Sequence, residues 1–328
     1  MHGSSRLVPC PARELIPGPA SGTLGPLLSG LEASIVIDPR QIGERLRAWR
    51  LGSGLSPEEV AGRLGISRAG LYKYEKEGIT RLDLLEAMAD MFGVSLAAVL
   101  GIEVEHFDTG AAFFERMRQL EAEAEHVVAY FEPVSILLTS SSYLARLEIM
   151  LRESLAGDAE ALAAAETALE VLNQRRETSR GPVVSSVVAL PQLAQLLRTG
   201  LVGRDDMPEA VQAERRRWAR EEIESVARLL ENPPIGVQVG LLEAAPPSGT
   251  FQVFHLRSGR NLACISPFRL ADHPNVTFGI ATVTAEPATV SLYERLAGQL
   301  WARALQGPSA AALVRDLLRK SQVGTDTP

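Results

Sequence analysis

The sequence LSPEEVAGRLGISRAGLYKYEKEG, residues 55–78, contains two helix starts on either side of a glycine. Ser56 has the position and side chain of an N-cap, and Pro57 follows it at the first helical position. Gly65 ends this short helix, and Ser67 caps the next one. The spacing predicts two helices joined at a sharp corner by a turn of three to four residues, which is the arrangement of a helix-turn-helix.

Helical periodicity continues on both sides of this pair. Ile42, Leu46 and Trp49 recur at positions i, i+4 and i+7, which predicts an amphipathic first helix. TRLDLLEAMADMFG at 80–93 and SLAAVLG at 95–101 predict a fourth and a fifth helix. We therefore expect residues 39–102 to form a small all-α domain of five helices.

The region from Ile42 to Gly101 resembles the Cro and lambda-repressor-like helix-turn-helix family, also called the Xre family. The resemblance rests on IGERLRAWRLGSGLSPEEVAGRLGISRAGLYKYEKEG at 42–78. A Leu-Ser-x-Glu-Glu-Val-Ala start, a Gly-Ile-Ser turn and a glutamate shortly before the terminal glycine all occur there at the family's spacing. It implies that residues 67–77 form a recognition helix whose first residues face base edges in the major groove of double-stranded DNA.

The resemblance also implies roles for individual side chains. Arg68, at the start of the recognition helix, is expected to contact a guanine bidentately, and Lys73 to reach a base or a phosphate. Ala69 is short enough to contact a thymine methyl group, and Tyr72 is expected near the phosphate backbone. The full set of DNA-binding residues that we expect is Ser67, Arg68, Ala69, Tyr72, Lys73, Arg47 and Ser56.

Two further positions of the domain follow from the same resemblance. The family pairs Arg50 with Glu75 as an ion pair between its first and third helices, so we expect both residues to be structural. Pro57 stands where the family often has a glutamine that contacts phosphate, and proline has no side-chain donor. DNA affinity is therefore expected to depend more on Arg45, Arg47, the N-terminus of the second helix and dimerisation.

Charge and composition limit the class of protein. The net charge is −7, which argues against coating nucleic acid through bulk charge. Cys10 and Cys264 are the only cysteines, too few for a disulfide framework or a four-cysteine metal site. Charged residues interrupt every apolar run before about 18 residues. We expect a cytoplasmic protein without a membrane segment and without a metal or cofactor.

The rest of the chain predicts a mixed α/β region. Residues 1–38 are rich in glycine, proline and serine and are expected to be a flexible arm, like the tail at 321–328. TGAAFFERMRQLEAEAEHVVAY at 109–130 predicts a connecting helix within 103–130. Helical patterns alternate with short β-branched or aromatic runs over 131–320, which predicts an α/β (α+β) regulatory domain with a small sheet. Its element order resembles the uncharacterised effector domain that follows this helix-turn-helix in many bacterial regulators.

No catalytic motif is visible in this second region. His106, His126, His255 and His273 form no pair with Asp or Glu at a metal-ligand spacing. We interpret Ser185, Ser186 and His255 as strand residues rather than nucleophile and base, and expect that the protein is not an enzyme.

These observations predict a multidomain, sequence-specific DNA-binding transcriptional regulator that forms a homodimer on its operator. Its C-terminal domain is expected to dimerise, to sense a small-molecule or protein effector, or both. An alternative is an antitoxin-like adaptor whose C-terminal domain binds a partner protein. A third class, an enzyme fused to a DNA-binding domain, would require a pocket with two convergent titratable groups within 180–290.

Overall fold

The computed structural model describes residues 38–101, 104–131, 135–177, 181–244 and 248–323. The segments predicted to be flexible, 1–38 and 321–328, lie almost entirely outside these ranges. Within the described ranges, no helix combines the length and the apolar character that crossing a membrane requires.

Helices alone occupy the N-terminal part of the described chain. Their N-caps include Asp38, Ser56, Ser67 and Ser95, whose side chains each accept a hydrogen bond from a backbone N–H in the first turn. The helices are α1 (Pro39–Gly52), α2 (Pro57–Arg63), α3 (Arg68–Glu77), α4 (Leu82–Phe92) and α5 (Leu96–Leu100). They bury a shared core that includes Leu46, Val60, Leu71, Met88 and Val99.

A seven-stranded mixed sheet with helices forms the rest of the structure. Its strand order is β1-β7-β6-β5-β2-β3-β4, in which β2, β3 and β4 are parallel and the other neighbours are antiparallel. The strands are β1 (Glu105–Phe107), β2 (Ala124–Tyr130), β3 (Val183–Ala189), β4 (Val237–Leu242), β5 (Thr250–Leu256), β6 (Asn261–Ser266) and β7 (Ala281–Thr284). The helices are α6 (Gly110–Glu123), α7 (Tyr143–Ser154), α8 (Ala159–Glu177), α9 (Leu190–Thr199), α10 (Glu209–Glu231), α11 (Pro287–Arg303) and α12 (Gly307–Val323).

The prediction of a continuous connecting helix within 103–130 is wrong. Helix α6 ends at Glu123, and residues 124–130 are strand β2, which pairs with both β3 and β5. Leu120, Ala124 and Val127 keep helical spacing in the sequence, so periodicity alone favours a helix there. Backbone pairing on both sides overrides that local preference, because it satisfies the donors and acceptors of β2 inside the sheet. The sheet is consequently larger than the small one expected.

The two faces of the sheet pack against different helices. Side chains on successive strand residues point to opposite faces. Val127, Val188 and Phe254 belong to the large core that also contains residues of α6, α8 and α10. Tyr130 and Val253 belong to a smaller cluster that includes Val290, Ala297 and Leu300 of α11. Helix α11 therefore covers one face of the sheet.

A buried ion cluster joins α1 to the region of the sheet. Arg45 Nε donates to Glu105 Oε1 at 2.9 Å, and Arg116 Nε donates to Glu105 Oε2 at 2.7 Å. All three side chains are buried, with Arg45 only 2% exposed. The expectation that Arg45 supports DNA affinity is therefore wrong, because its guanidinium faces a buried carboxylate instead of solvent.

Further contacts extend this junction along α1 and α6. The Trp49 ring stacks on Phe107 with 5.7 Å between ring centroids. Glu115 is fully buried and accepts from Arg47 Nε at 2.8 Å. Gln119 Nε2 donates to the backbone carbonyl of Glu44 at 2.8 Å. Aromatic, ionic and backbone contacts thus hold the N-terminal helices against α6 and β1.

Glu105→Gln tests the ion cluster. Burial alone would raise the pKa of Glu105, but the charges of Arg116 and Arg45 outweigh burial and hold that pKa below its usual value. We expect Glu105→Gln to lower the free energy of unfolding by about 3–5 kcal/mol at pH 7, because two buried guanidiniums lose their carboxylate. Urea unfolding measures this difference.

The stabilisation that Glu105 contributes should depend on pH, and the depressed pKa of Glu105 gives the direction of that dependence. Because the folded-state pKa of Glu105 is depressed, its stabilisation is present above the unfolded-state pKa of about 4.3 and is lost as the pH falls through the folded-state pKa. The difference between wild type and Glu105→Gln should therefore shrink below about pH 4. Exposed Glu86→Gln is the matched control and should change stability by less than about 0.5 kcal/mol. A difference that is the same at pH 7 and pH 3 would contradict the prediction.

Candidate nucleic-acid interface

The corner between α2 and α3 depends on one glycine. Gly65 has a φ of +65°, in the left-handed region that glycine adopts without strain. Its N–H donates to the Gly62 carbonyl at 3.2 Å, and the N–H of Ile66 donates to the Ala61 carbonyl at 3.0 Å. These bonds satisfy carbonyls at the end of α2 and turn the chain toward α3.

Two serines of the predicted DNA-binding set hold the helix starts. Ser56 Oγ accepts from Glu59 N at 3.2 Å, while the Glu59 carboxylate accepts from Ser56 N at 2.8 Å, which completes a capping box. Ser67 Oγ accepts from Gly70 N at 3.0 Å. Ser56 is half-buried and Ser67 is exposed. Both hydroxyls therefore position helices in the free protein.

The buried face of α3 packs closely against α1. A Cβ atom on Gly43 would lie 2.2 Å from the carbonyl oxygen of Tyr74 and 2.8 Å from that of Glu75, so only glycine fits at this crossing. Leu71 is fully buried beside it. The face of α3 that carries Leu71 and Glu75 is consequently unavailable to any ligand.

Arg50 and Glu75 form the ion pair that links α1 to α3. Arg50 Nε donates to Glu75 Oε1 at 2.5 Å, and Nη2 donates to Oε2 at 3.0 Å. Both side chains are buried, at 5% and 3% exposed. The bidentate geometry sets the rotation of α3 about its own axis, because the planar guanidinium matches both carboxylate oxygens.

The opposite face of α3 is open to solvent. Arg68, Ala69, Tyr72 and Lys73 are all exposed, and their spacing places them on one side of the helix. Four of the residues predicted to read DNA therefore share a continuous exposed surface, which we call the reading face. It is the surface that a recognition helix presents to the major groove.

Arg68 lies at the start of the reading face and contacts both Glu58 and Tyr72. Its Nη1 lies 2.6 Å from Glu58 Oε1 on α2, and its guanidinium lies over the Tyr72 ring, 5.4 Å from the centroid. Arg68 Nη2 also donates to the Tyr72 hydroxyl at 3.3 Å. Arg68 and Glu58 are 59% and 57% exposed. Ion pairs this exposed are weak, so a guanine or a phosphate can replace Glu58 at small cost.

Arg47 forms its ion pair with helix α6 and not with a residue of the reading face. Its side chain is 35% exposed, and its Nε is bound to Glu115 of α6. Glu115 is 68 residues further along the chain, so no local pattern could indicate the pair. The other six predicted DNA-binding residues lie on α3 or cap α2 and α3. Among the residues described, no group of three or more His, Cys, Asp or Glu is placed to hold a metal ion.

Comparison with known proteins identifies the N-terminal helices. Residues 41–100 match the family model described as a helix-turn-helix domain. These residues therefore form a DNA-binding helix-turn-helix domain, and a mixed α/β region follows it. No curated protein matches the chain.

A solved structure also aligns with the chain. It is the structure of TrmBL2, an archaeal chromatin protein with a novel mode of DNA binding. The alignment has 12% sequence identity and covers 80% of this chain and 92% of that chain, with a TM-score of 0.27.

Glu75→Ala tests the structural role of the ion pair. Loss of the carboxylate leaves the buried guanidinium of Arg50 unpaired, so the free energy of unfolding should fall by about 3–5 kcal/mol. Glu77→Ala is the matched control on the same helix. Glu77 is 61% exposed and lies 3.8 Å from Lys73, so its loss should cost less than about 0.5 kcal/mol. Equal denaturation midpoints for the two variants would show that the pair stabilises nothing.

Proposed function

We propose that this protein is a sequence-specific transcriptional regulator of the Xre type that inserts residues 67–77 into the major groove of its operator. The observation that carries the proposal is the reading face. It holds Arg68, Ala69, Tyr72 and Lys73 exposed together on a helix whose opposite side is locked to the domain. The match of residues 41–100 to a helix-turn-helix domain supports the same assignment.

Each residue of the reading face has a chemistry suited to DNA. The guanidinium of Arg68 fits the O6 and N7 acceptors of guanine, and the Ala69 methyl fits the methyl group of thymine. Lys73, about one and a half turns later, reaches a base or a phosphate, and the Tyr72 hydroxyl suits a phosphate oxygen. Arg68 and Ala69 therefore supply specificity, while Tyr72 and Lys73 contribute to affinity and register.

We further propose that the protein acts as a homodimer through its C-terminal region. One small helix-turn-helix domain buries limited DNA surface, whereas a two-fold dimer reads two half-sites about one helical turn apart. The buried contacts of α1 with α6 and β1 support this proposal, because a domain fixed to its dimerisation region has a defined half-site spacing. A flexible linker between the two regions would leave the spacing of the half-sites undefined.

Selection from a random DNA pool, followed by footprinting, tests the function. The full-length chain should enrich one sequence with two inverted half-sites whose centres are about 10 base pairs apart, and both should be protected together. Failure to enrich any sequence would contradict specific recognition. Protection of a single unpaired half-site by a monomer at working concentration would contradict the dimer.

Arg68→Ala tests direct readout on the selected site. Binding should weaken by about 1–3 kcal/mol, and specificity should relax at one base pair, because the bidentate contact is lost. Glu58→Gln is the matched comparison, since it removes the carboxylate that pairs with Arg68 and repels phosphate, and it should tighten binding. Titrations on the selected site and on single-base variants measure both effects. An equal loss on every sequence would make Arg68 a phosphate contact.

A further inference from the structure

A cavity of about 410 Å³ lies between the sheet and helix α11. This volume is within the range of small-molecule sites in proteins. Strands β2, β3, β4 and β5 form its floor, and α11 forms its opposite wall. The lining includes His126, Ser185, Gln238, His255, Glu294 and Trp301.

Strand register brings the polar floor together. His126 on β2 is directly opposite His255 on β5, and Ser185 on β3 is paired with Gln238 on β4. The His126 and His255 rings stack with 5.6 Å between centroids and 18° between planes. His126 Nε2 lies 2.9 Å from Ser185 Oγ, which donates to Gln238 Oε1 at 3.4 Å. Four strands thus contribute one connected polar surface.

The charge of the cavity comes from one carboxylate. Glu294 is 35% exposed, and its Oε1 accepts from Asn261 Nδ2 at 2.8 Å. None of the described residues that line the cavity is lysine or arginine. Burial lowers the pKa of His126, and the neighbouring His255 lowers it further, which disfavours a positive charge on its imidazole. Glu294 is the one acidic side chain among the described residues of the lining, and His255 Nδ1 lies 3.9 Å from its Oε1.

We propose that this cavity binds a small, flat molecule that carries a protonated amine. The walls formed by Val128, Val253 and Ala297 suit an apolar body, and the Trp301 ring suits both a flat ring and a cation. Glu294 attracts an ammonium group and repels a carboxylate or phosphate, and the described lining has no lysine or arginine to offset that repulsion. The ligand class is an aromatic ring that carries a protonated alkylamine.

The cavity is connected to the helix-turn-helix domain through the chain itself. Helix α6 ends at Glu123 and continues into β2 without a loop, so His126 lies three residues beyond the helix. The Glu123 carboxylate binds the Arg40 guanidinium of α1, and Gln41 Nε2 lies 3.5 Å from Glu123 Oε2. An occupant that shifts β2 therefore acts on α1. This regulatory part rests on the proposed function: binding of the amine should change affinity for the operator.

Calorimetry with three indoles on the full-length protein tests the ligand class. Tryptamine is cationic, tryptophol is neutral and indole-3-acetate is anionic, and all three share one ring system. We expect tryptamine to bind at least about tenfold more tightly than indole-3-acetate, a difference of about 1.4 kcal/mol. Equal or tighter binding of indole-3-acetate, or no binding of any of the three, would overturn the proposal.

Variants locate the binding in the cavity. A Cβ atom on Gly298 meets no atom within 4 Å, so Gly298→Leu fills the cavity without a backbone clash and should weaken tryptamine binding more than tenfold. Gln299→Leu is the matched control, since Gln299 is exposed on the same helix and does not line the cavity. Thermal melting confirms that both variants fold. Unchanged tryptamine binding by Gly298→Leu would overturn the site.

Glu294→Gln tests the charge argument separately. Glutamine keeps an oxygen that can accept from Asn261 but loses the negative charge. Tryptamine binding should weaken about tenfold while tryptophol binding stays the same. Equal weakening of both compounds would overturn the assignment of Glu294 as the partner of the amine.

DNA titration separates the ligand site from the proposed function. Saturating tryptamine should change the affinity of wild type, but not of Gly298→Leu, for the selected operator. Because calorimetry uses no DNA, a failure to bind any operator leaves the ligand result intact. Tryptamine binding without an effect on DNA affinity would overturn the regulatory coupling alone.

Discussion

The buried carboxylate of Glu105 is the constraint on which the arrangement of this protein depends. A charge removed from water requires compensation, and here Arg45 of α1 and Arg116 of α6 supply it. Strand β1 carries Glu105 at the edge of the sheet. The ion cluster therefore links the three elements, and the helix-turn-helix domain is joined to the sheet.

This constraint fixes the N-terminal domain to the sheet. The reading face lies on helix α3 of that domain. The ion pair of Arg50 and Glu75 fixes α3 to α1, so the orientation of α3 follows from contacts on α1. The same helix α1 meets α6 through Glu123, next to the strand that lines the cavity. Contacts of α1 thus lead both to the reading face and to the strand that lines the cavity.

Local signals account for the part of the fold that the sequence predicted. Capping at Ser56 and Ser67 and the positive φ of Gly65 depend only on neighbouring residues, so the corner between α2 and α3 is visible in the sequence. Strand β2 was not predictable in this way. Its residues keep helical spacing up to Val127, and only pairing with β3 and β5, at least 50 residues away, makes it a strand.

The sequence by itself determined the two helices, the turn between them and the exposed side of α3, because helix caps, turns and amphipathic spacing are properties of short segments. The tertiary structure alone decided that the arginines of α1 form ion pairs inside the protein, since Arg45 and Arg47 bind carboxylates 60 and 68 residues away. It also decided the cavity, where strand pairing sets His126 opposite His255. Long-range pairing leaves no trace in local spacing, which is why only the folded chain reveals these sites.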